Sequence, residues 1–129
     1  MADQDFAGSA DRLYVKEATI ANGGHTSAAV NVAGFRIAGI RMPSAWTAAD
    51  IAFSESPDGT ETYLSVFDDS GAQVLVTVAA SSSVRLDEGL LAPYRSIKVR
   101  SVTAGTGVST VAQGAERVID LYCVPTGTR

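Results

Sequence analysis

The 129-residue chain carries a formal charge of −4, with 46% hydrophobic and 19% charged residues. That length fits one domain able to bury roughly two-thirds of its unfolded surface, and the balance excludes disorder over most of it. The charge opposes a nucleic-acid-binding surface: the ten Lys and Arg residues are scattered, and the nearest grouping is Arg95, Lys98 and Arg100.

Residues 1–10 are small, polar and acidic, and read as a flexible arm carrying a lone Phe6 that could dock on a neighbouring subunit. This end has no basic region and no apolar core, so it is not expected to be a signal peptide. No apolar run approaches the ~18 residues of a membrane span. Residues 11–125 read as a single β-sandwich domain and 126–129 as a short polar tail.

Arg12–Ile20 forms a first predicted strand, with Leu13 and Val15 on one face and Tyr14 and Lys16 on the other. Asn22-Gly23-Gly24-His25 is a turn by composition. Ala28–Val32 is a second strand. Phe35–Met42 is a third, whose apolar positions change side around Gly39, the mark of a bulge. Pro43 stops it, and 44–50 is a connecting loop. Trp46 there serves either as core packing or as an assembly contact.

Asp50–Val78 reads as three half-buried strands joined by two tight turns. Pro57-Asp58-Gly59 and Asp68-Asp69-Ser70-Gly71 supply the turn chemistry. Ser82–Leu86 is a short strand, and Asp87–Tyr94 a single helical turn capped by Asp87 that plugs one end with Leu90 and Leu91. Ser96–Ser101 alternates cleanly, Ile97 and Val99 inward, Lys98 and Arg100 outward. Thr103–Gly107 reads as a flexible segment. Glu116–Val124 is the last strand, with Ile119, Leu121 and Cys123 sharing a face. The sum is an all-β, antiparallel sandwich of jelly-roll or Greek-key type, with about eight or nine strands.

Chemistry is poorly provided for. The one histidine, His25, lies in a Gly-rich turn, and the one cysteine, Cys123, on an apolar face. Together they cannot build a zinc site or a nucleophile–His–acid set. Neither phosphate-loop pattern is present. Asp58, Asp68 and Asp69 lack the spacing of a calcium loop, and turn chemistry accounts for them. No enzyme activity, cofactor or metal is expected. A single cysteine suits assembly in a reducing cytoplasm.

The order IAFSESPDGTETYLSVFDDSGAQVLVTV, then VRLDEGLLAPYRSIKVRS, then a Gly/Thr loop and VAQGAERVIDLYCV, resembles small virion proteins of tailed bacteriophages and related prophages over about residues 35–124. The resemblance implies a non-enzymatic head decoration or cement protein. Such a protein binds the major capsid protein on the outer capsid surface, stabilises the head and assembles in the bacterial host cytoplasm as a homo-oligomer, with a trimer favoured. It implies no nucleic acid or membrane partner and brings no catalytic residues. The S-x-S-x-D-G turn also occurs in discoidin-like carbohydrate-binding sandwiches. The alternative is therefore a carbohydrate-binding or host-attachment module of a phage tail or fibre. Alternation places Tyr14, Tyr63, Phe67 and Tyr122 opposite the expected core face. With Phe6 and Trp46 they are the candidate subunit or capsid contacts.

Overall fold

The computed structural model describes residues 13–87, 91 and 94–126. Phe6 with the expected arm, most of the turn between Asp87 and Tyr94, and the last three residues lie outside these. Nine antiparallel strands form two sheets: β1 (Tyr14–Ile20), β2 (Val30–Asn31), β3 (Phe35–Arg41), β4 (Asp50–Ser56), β5 (Leu64–Ser65), β6 (Leu75–Val76), β7 (Ser83–Arg85), β8 (Ser96–Val102) and β9 (Arg117–Pro125).

One sheet runs β1-β9-β3-β7. The other runs β2-β8-β4-β5, with β6 also paired to β4. The pairings β1·β9, β2·β8, β3·β7 and β4·β5 are nested, like one long hairpin rolled on itself. That wrap is the jelly roll. Its innermost turn is the β4–β5 connection, inside the stretch that opens with Asp50.

For β8 and β9 the inward sets are those that alternation gives. Ile97 and Val99 from β8, and Ile119, Leu121 and Cys123 from β9, are all 0% exposed. They meet Ile51 and Phe53 of β4 in one apolar layer with Ala18, Ile20, Ile37 and Ile40. The bulge expected near Gly39 is present: the β3–β9 register shifts between Ile37 and Gly39. Ile37 and Ile40, of opposite parity, therefore both reach the core. A Cβ on Gly39 would come 3.1 Å from the Val84 carbonyl and 3.4 Å from the Tyr122 ring, so the bulge needs the bare backbone.

Four expectations are corrected. The run after Asp50 is not a three-strand meander. Leu64–Ser65 and Leu75–Val76 both pair with β4, in line along one edge. Between them residues 67–73 loop out as a small hairpin, closed by the Phe67–Gln73 bridge and by Asp68 N–H to Ala72 C=O at 2.8 Å. Second, β4 is buried on both faces, Ala52 and Ser54 included. The cause is a roof of cationic side chains from β8. Arg100 crosses β4 to donate to Ser65 Oγ at 3.3 Å, and Lys98 crosses to the Tyr63 ring, 4.3 Å from its centroid. Third, Tyr14 does not lie opposite the core face. It shares the parity of Ala18 and Ile20, and Leu13 and Val15 are the outward pair. Fourth, 103–107 is held in place: Gly107 N–H donates to Thr103 C=O at 2.8 Å and Gly105 N–H to Asp50 Oδ2 at 2.8 Å. Gly107 (φ +66°) packs so closely on β6 that a Cβ there would fall 2.7 Å from both Gln73 Oε1 and Leu75 Cδ2.

Candidate functional site

The one histidine and the one cysteine sit in different surroundings. His25 is exposed, its Nδ1 2.8 Å from Thr26 Oγ1. Cys123 is 0% exposed, and burial pushes its thiol up to about 11. Its Sγ donates to the Leu121 carbonyl at 3.6 Å. Among the described residues no three His, Cys, Asp or Glu side chains gather as a metal-binding group. No helix among them is long and apolar enough to cross a membrane.

The turn aspartates do what their position in the sequence implies. Asp58 Oδ1 accepts from Thr60 N–H at 2.8 Å and Glu61 N–H at 2.9 Å. Asp68 Oδ1 accepts from Ser70 Oγ at 2.6 Å and from the N–H groups of Ser70 and Ala72 at 3.0 Å. The Glu61 N–H, then that of Thr60, hold the Asp58 carboxyl below its usual range, and the Ser70 hydroxyl, then the Ala72 N–H, do so for Asp68. A depressed carboxylate stabilises the fold fully above its unfolded value, near 3.8, and loses that contribution as pH falls through the lower folded value. The unfolding midpoint should therefore drop on acidification below about pH 4, and drop less steeply in a D58N/D68N variant. Thermal melts from pH 7 to pH 2 check this. Parallel curves for the two proteins would show that the turns do not titrate with folding.

The candidate contacts fall on different surfaces. Tyr122 stands on the outer face of the four-stranded sheet, beside Val15 of β1 and near the Arg41 guanidinium. Tyr122, with nearby Asp120, raises the Arg41 pKa. Tyr14 sits at the sheet's end, edge-on to Phe35 with centroids 5.2 Å apart. Tyr63 and Phe67 belong to the other sheet. The Tyr63 hydroxyl lies 2.6 Å from Ser96 Oγ, and Phe67, 56% exposed, rides on the looped-out hairpin. Trp46 is half-buried against the core, its Nε1 donating to the Ala49 carbonyl at 3.1 Å. The structure thus brings no two of Trp46, Tyr63 and Tyr122 together in one groove.

Comparison with protein-family models, with curated proteins and with solved structures found no match to this chain.

Three open hollows lie among the described residues. One, of about 490 Å³, is lined by Arg41, Pro43, Ser82, Val118 and Asp120, among others. A second, of about 400 Å³, includes Asn31, Asp58, Gly59, Arg95 and Ser96, and a third, of about 450 Å³, is lined by Ala38, Arg85 and Asp87, among others. The first gathers the hydroxyls of Ser44, Ser81, Ser82 and Ser83 with Arg41 and Asp120, so its lining is rich in hydrogen-bonding groups.

Sequence reading missed Gln113, which is 0% exposed and joins three loops. Its backbone exchanges bonds with the Gly23–Gly24 turn at 2.8 and 2.9 Å. Its Oε1 accepts from Thr47 N–H at 2.8 Å and Arg117 Nε at 3.1 Å. Its Nε2 donates to the Thr47 carbonyl at 3.1 Å and Ser101 Oγ at 2.8 Å. One glutamine between Ala112 and Gly114 gives no signal of this; only the packed loops reveal it.

Proposed function

We propose that this chain is a non-enzymatic structural protein of a tailed-phage virion, one that binds the outer head surface as a decoration or cement protein. Its partner is the major capsid protein, and it acts as a homo-oligomer. Its place is the capsid surface, after assembly in the bacterial cytoplasm.

One observation carries most weight beside the sequence resemblance: the exposed apolar side chains are distributed over several elements, β1, β5, the looped-out hairpin and the loop that holds Val108. Val15 is 53% exposed, Phe67 56%, Leu64 62% and Val108 80%, on strands and loops of both sheets. Dispersed apolar contacts suit a repeating protein lattice, whereas sugar binding asks for aromatic faces lining one groove. Jelly rolls serve in capsids and in lectins alike, so the wrap itself is neutral between these.

The second reading, a carbohydrate-binding or host-attachment module, is favoured by the hollow at Asn31, Asp58 and Arg95. Its amide, carboxylate and guanidinium could bracket sugar hydroxyls. Tyr63 at its rim is less free to stack, because Lys98 already covers the ring.

Localisation on purified virions separates the two. A decoration protein is present on heads in copy number comparable to the major capsid protein, and heads lacking it burst at lower temperature. A few copies at the tail tip, with binding to host cells or glycans, would overturn the head assignment.

A further inference from the structure

β1 closes one side of the four-stranded sheet, and its ladder to β9 runs unbroken from Tyr14 to Ile20. In an antiparallel ladder, successive residues turn their N–H and C=O to opposite sides. The Thr19 carbonyl accepts from Ala28 N–H at 3.3 Å, away from β9. The odd-numbered residues of β1 therefore direct their backbone groups to the outer edge. Among the described residues, none hydrogen-bonds to that edge at Val15 or Glu17.

The side chains fit an unfinished sheet. Leu13 and Val15 are 44% and 53% exposed, and Val15 stands directly beside Tyr122 in the ladder. From Leu13 to Thr19 there is no Pro, Gly or bulge, and the charges of the kind that blunt an edge are Lys16 and Glu17. Lys16, the one cation, places its Nζ 5.1 Å over its own Phe35 ring.

We infer that two copies of this chain pair antiparallel through β1 about a two-fold axis at Val15, so that their four-stranded sheets become continuous. Charge selects the register. An axis at Lys16 would oppose two lysines and one at Glu17 two glutamates, and like charges directly opposite are destabilising. An axis at Tyr14 would set Leu13 against Val15 and Tyr14 against itself, with no cation beside a ring. An axis at Val15 pairs Leu13 to Glu17 with roughly six backbone hydrogen bonds. It sets Tyr14 against Lys16, a cation beside an aromatic ring. It also extends the Val15–Tyr122 row into an apolar stripe across four strands. The pairing is self-complementary, as a two-fold interface must be. It makes the solution oligomer a dimer, where the sequence resemblance implies a trimer, and it stands whether or not the protein belongs to a virion.

Sedimentation equilibrium of the full chain over a concentration series tests this, with twice 13.3 kDa as the expected mass. Val15→Pro deletes an edge N–H that the β9 ladder does not use, so the fold survives and circular dichroism should confirm it. Dimer affinity should fall roughly tenfold or more. Val15→Cys should be cross-linked between copies by a short bismaleimide, since the directly opposed residues of a hydrogen-bonded pair stand only about 5.5 Å apart. Thr19→Cys, where Ala28 fills the edge, should not. A monomer or a trimer across the series overturns the inference, as does a folded Val15→Pro protein with unchanged affinity. It also fails if only deletion of residues 1–12 produces the dimer, because the edge would then be covered in the intact chain.

Discussion

Phe53→Ala should lower the unfolding free energy by about 3–5 kcal/mol, in the range for a large aromatic removed from a close-packed core. Phe53 is 0% exposed and sits in the middle of β4, opposite Val99 in the β8 ladder, while its carbonyl accepts from Val66 N–H at 3.0 Å. It lies where the innermost hairpin of the wrap presses on the opposite sheet. Ile97 and Val99 of β8 and Val76 of β6 belong to the same buried cluster as Ile119 and Leu121 of β9, so the surroundings have little room to collapse into the void. A domain of this size should lose roughly 10–20 °C in melting temperature, and the urea midpoint should fall with an unchanged slope. Phe53→Leu, which keeps most of the volume, should cost about 1.5 kcal/mol or less. Loss of under about 1 kcal/mol in the alanine variant would mean that the sheets do not share a single packed layer at this point.

The same residue shows how far the sequence could be read. Phe53, Ile97, Val99, Ile119 and Leu121 alternate with polar neighbours, and period two along a strand is a local property that needs no knowledge of partners. The bulge in β3 was legible for the same reason, since Phe35, Ile37, Ile40 and Met42 cannot all point inward without an extra residue. What escaped was non-local. The pairing of Tyr14 with Cys123 spans nearly the whole chain, and nothing in either segment specifies the other. The burial of Ala52 and Ser54 depends on Lys98 and Arg100 reaching across from β8. Leu64 shares the inward parity of Val66 yet is 62% exposed, because β5 ends at the rim of the sandwich. Tyr14 was assigned to the wrong face because Leu13 and Val15 are the more apolar pair. Ala18 and Ile20, further along, set the phase of that strand. The candidate contacts inherited these gaps: alternation gives a face within one strand but not which faces meet.

Gln113→Leu should destabilise the fold by about 2–4 kcal/mol, although the substitution adds apolar volume to a fully buried site. The four hydrogen bonds of the Gln113 amide satisfy it completely, and each ties a different group. Leucine would strand the Thr47 N–H and carbonyl, the Ser101 hydroxyl and the Arg117 Nε at once, and partners left unsatisfied when buried carry most of the cost. The loss should be local before it is global. Thr47 anchors the 44–50 loop, whose Trp46 packs against the core and donates to Ala49. Faster hydrogen exchange at Thr47 and a red shift of Trp46 fluorescence are expected at temperatures where far-ultraviolet circular dichroism is still native. Gln113→Glu separates the two halves of the clamp. It retains the acceptor for Thr47 N–H and Arg117 but loses the Nε2 donor to Thr47 C=O and Ser101 Oγ. Acid should partly restore it, because a protonated carboxyl regains one donor while leucine has none. A Leu variant as stable as wild type, with Trp46 emission unmoved, would show that the three loops are held by the sheets beneath them and not by this side chain.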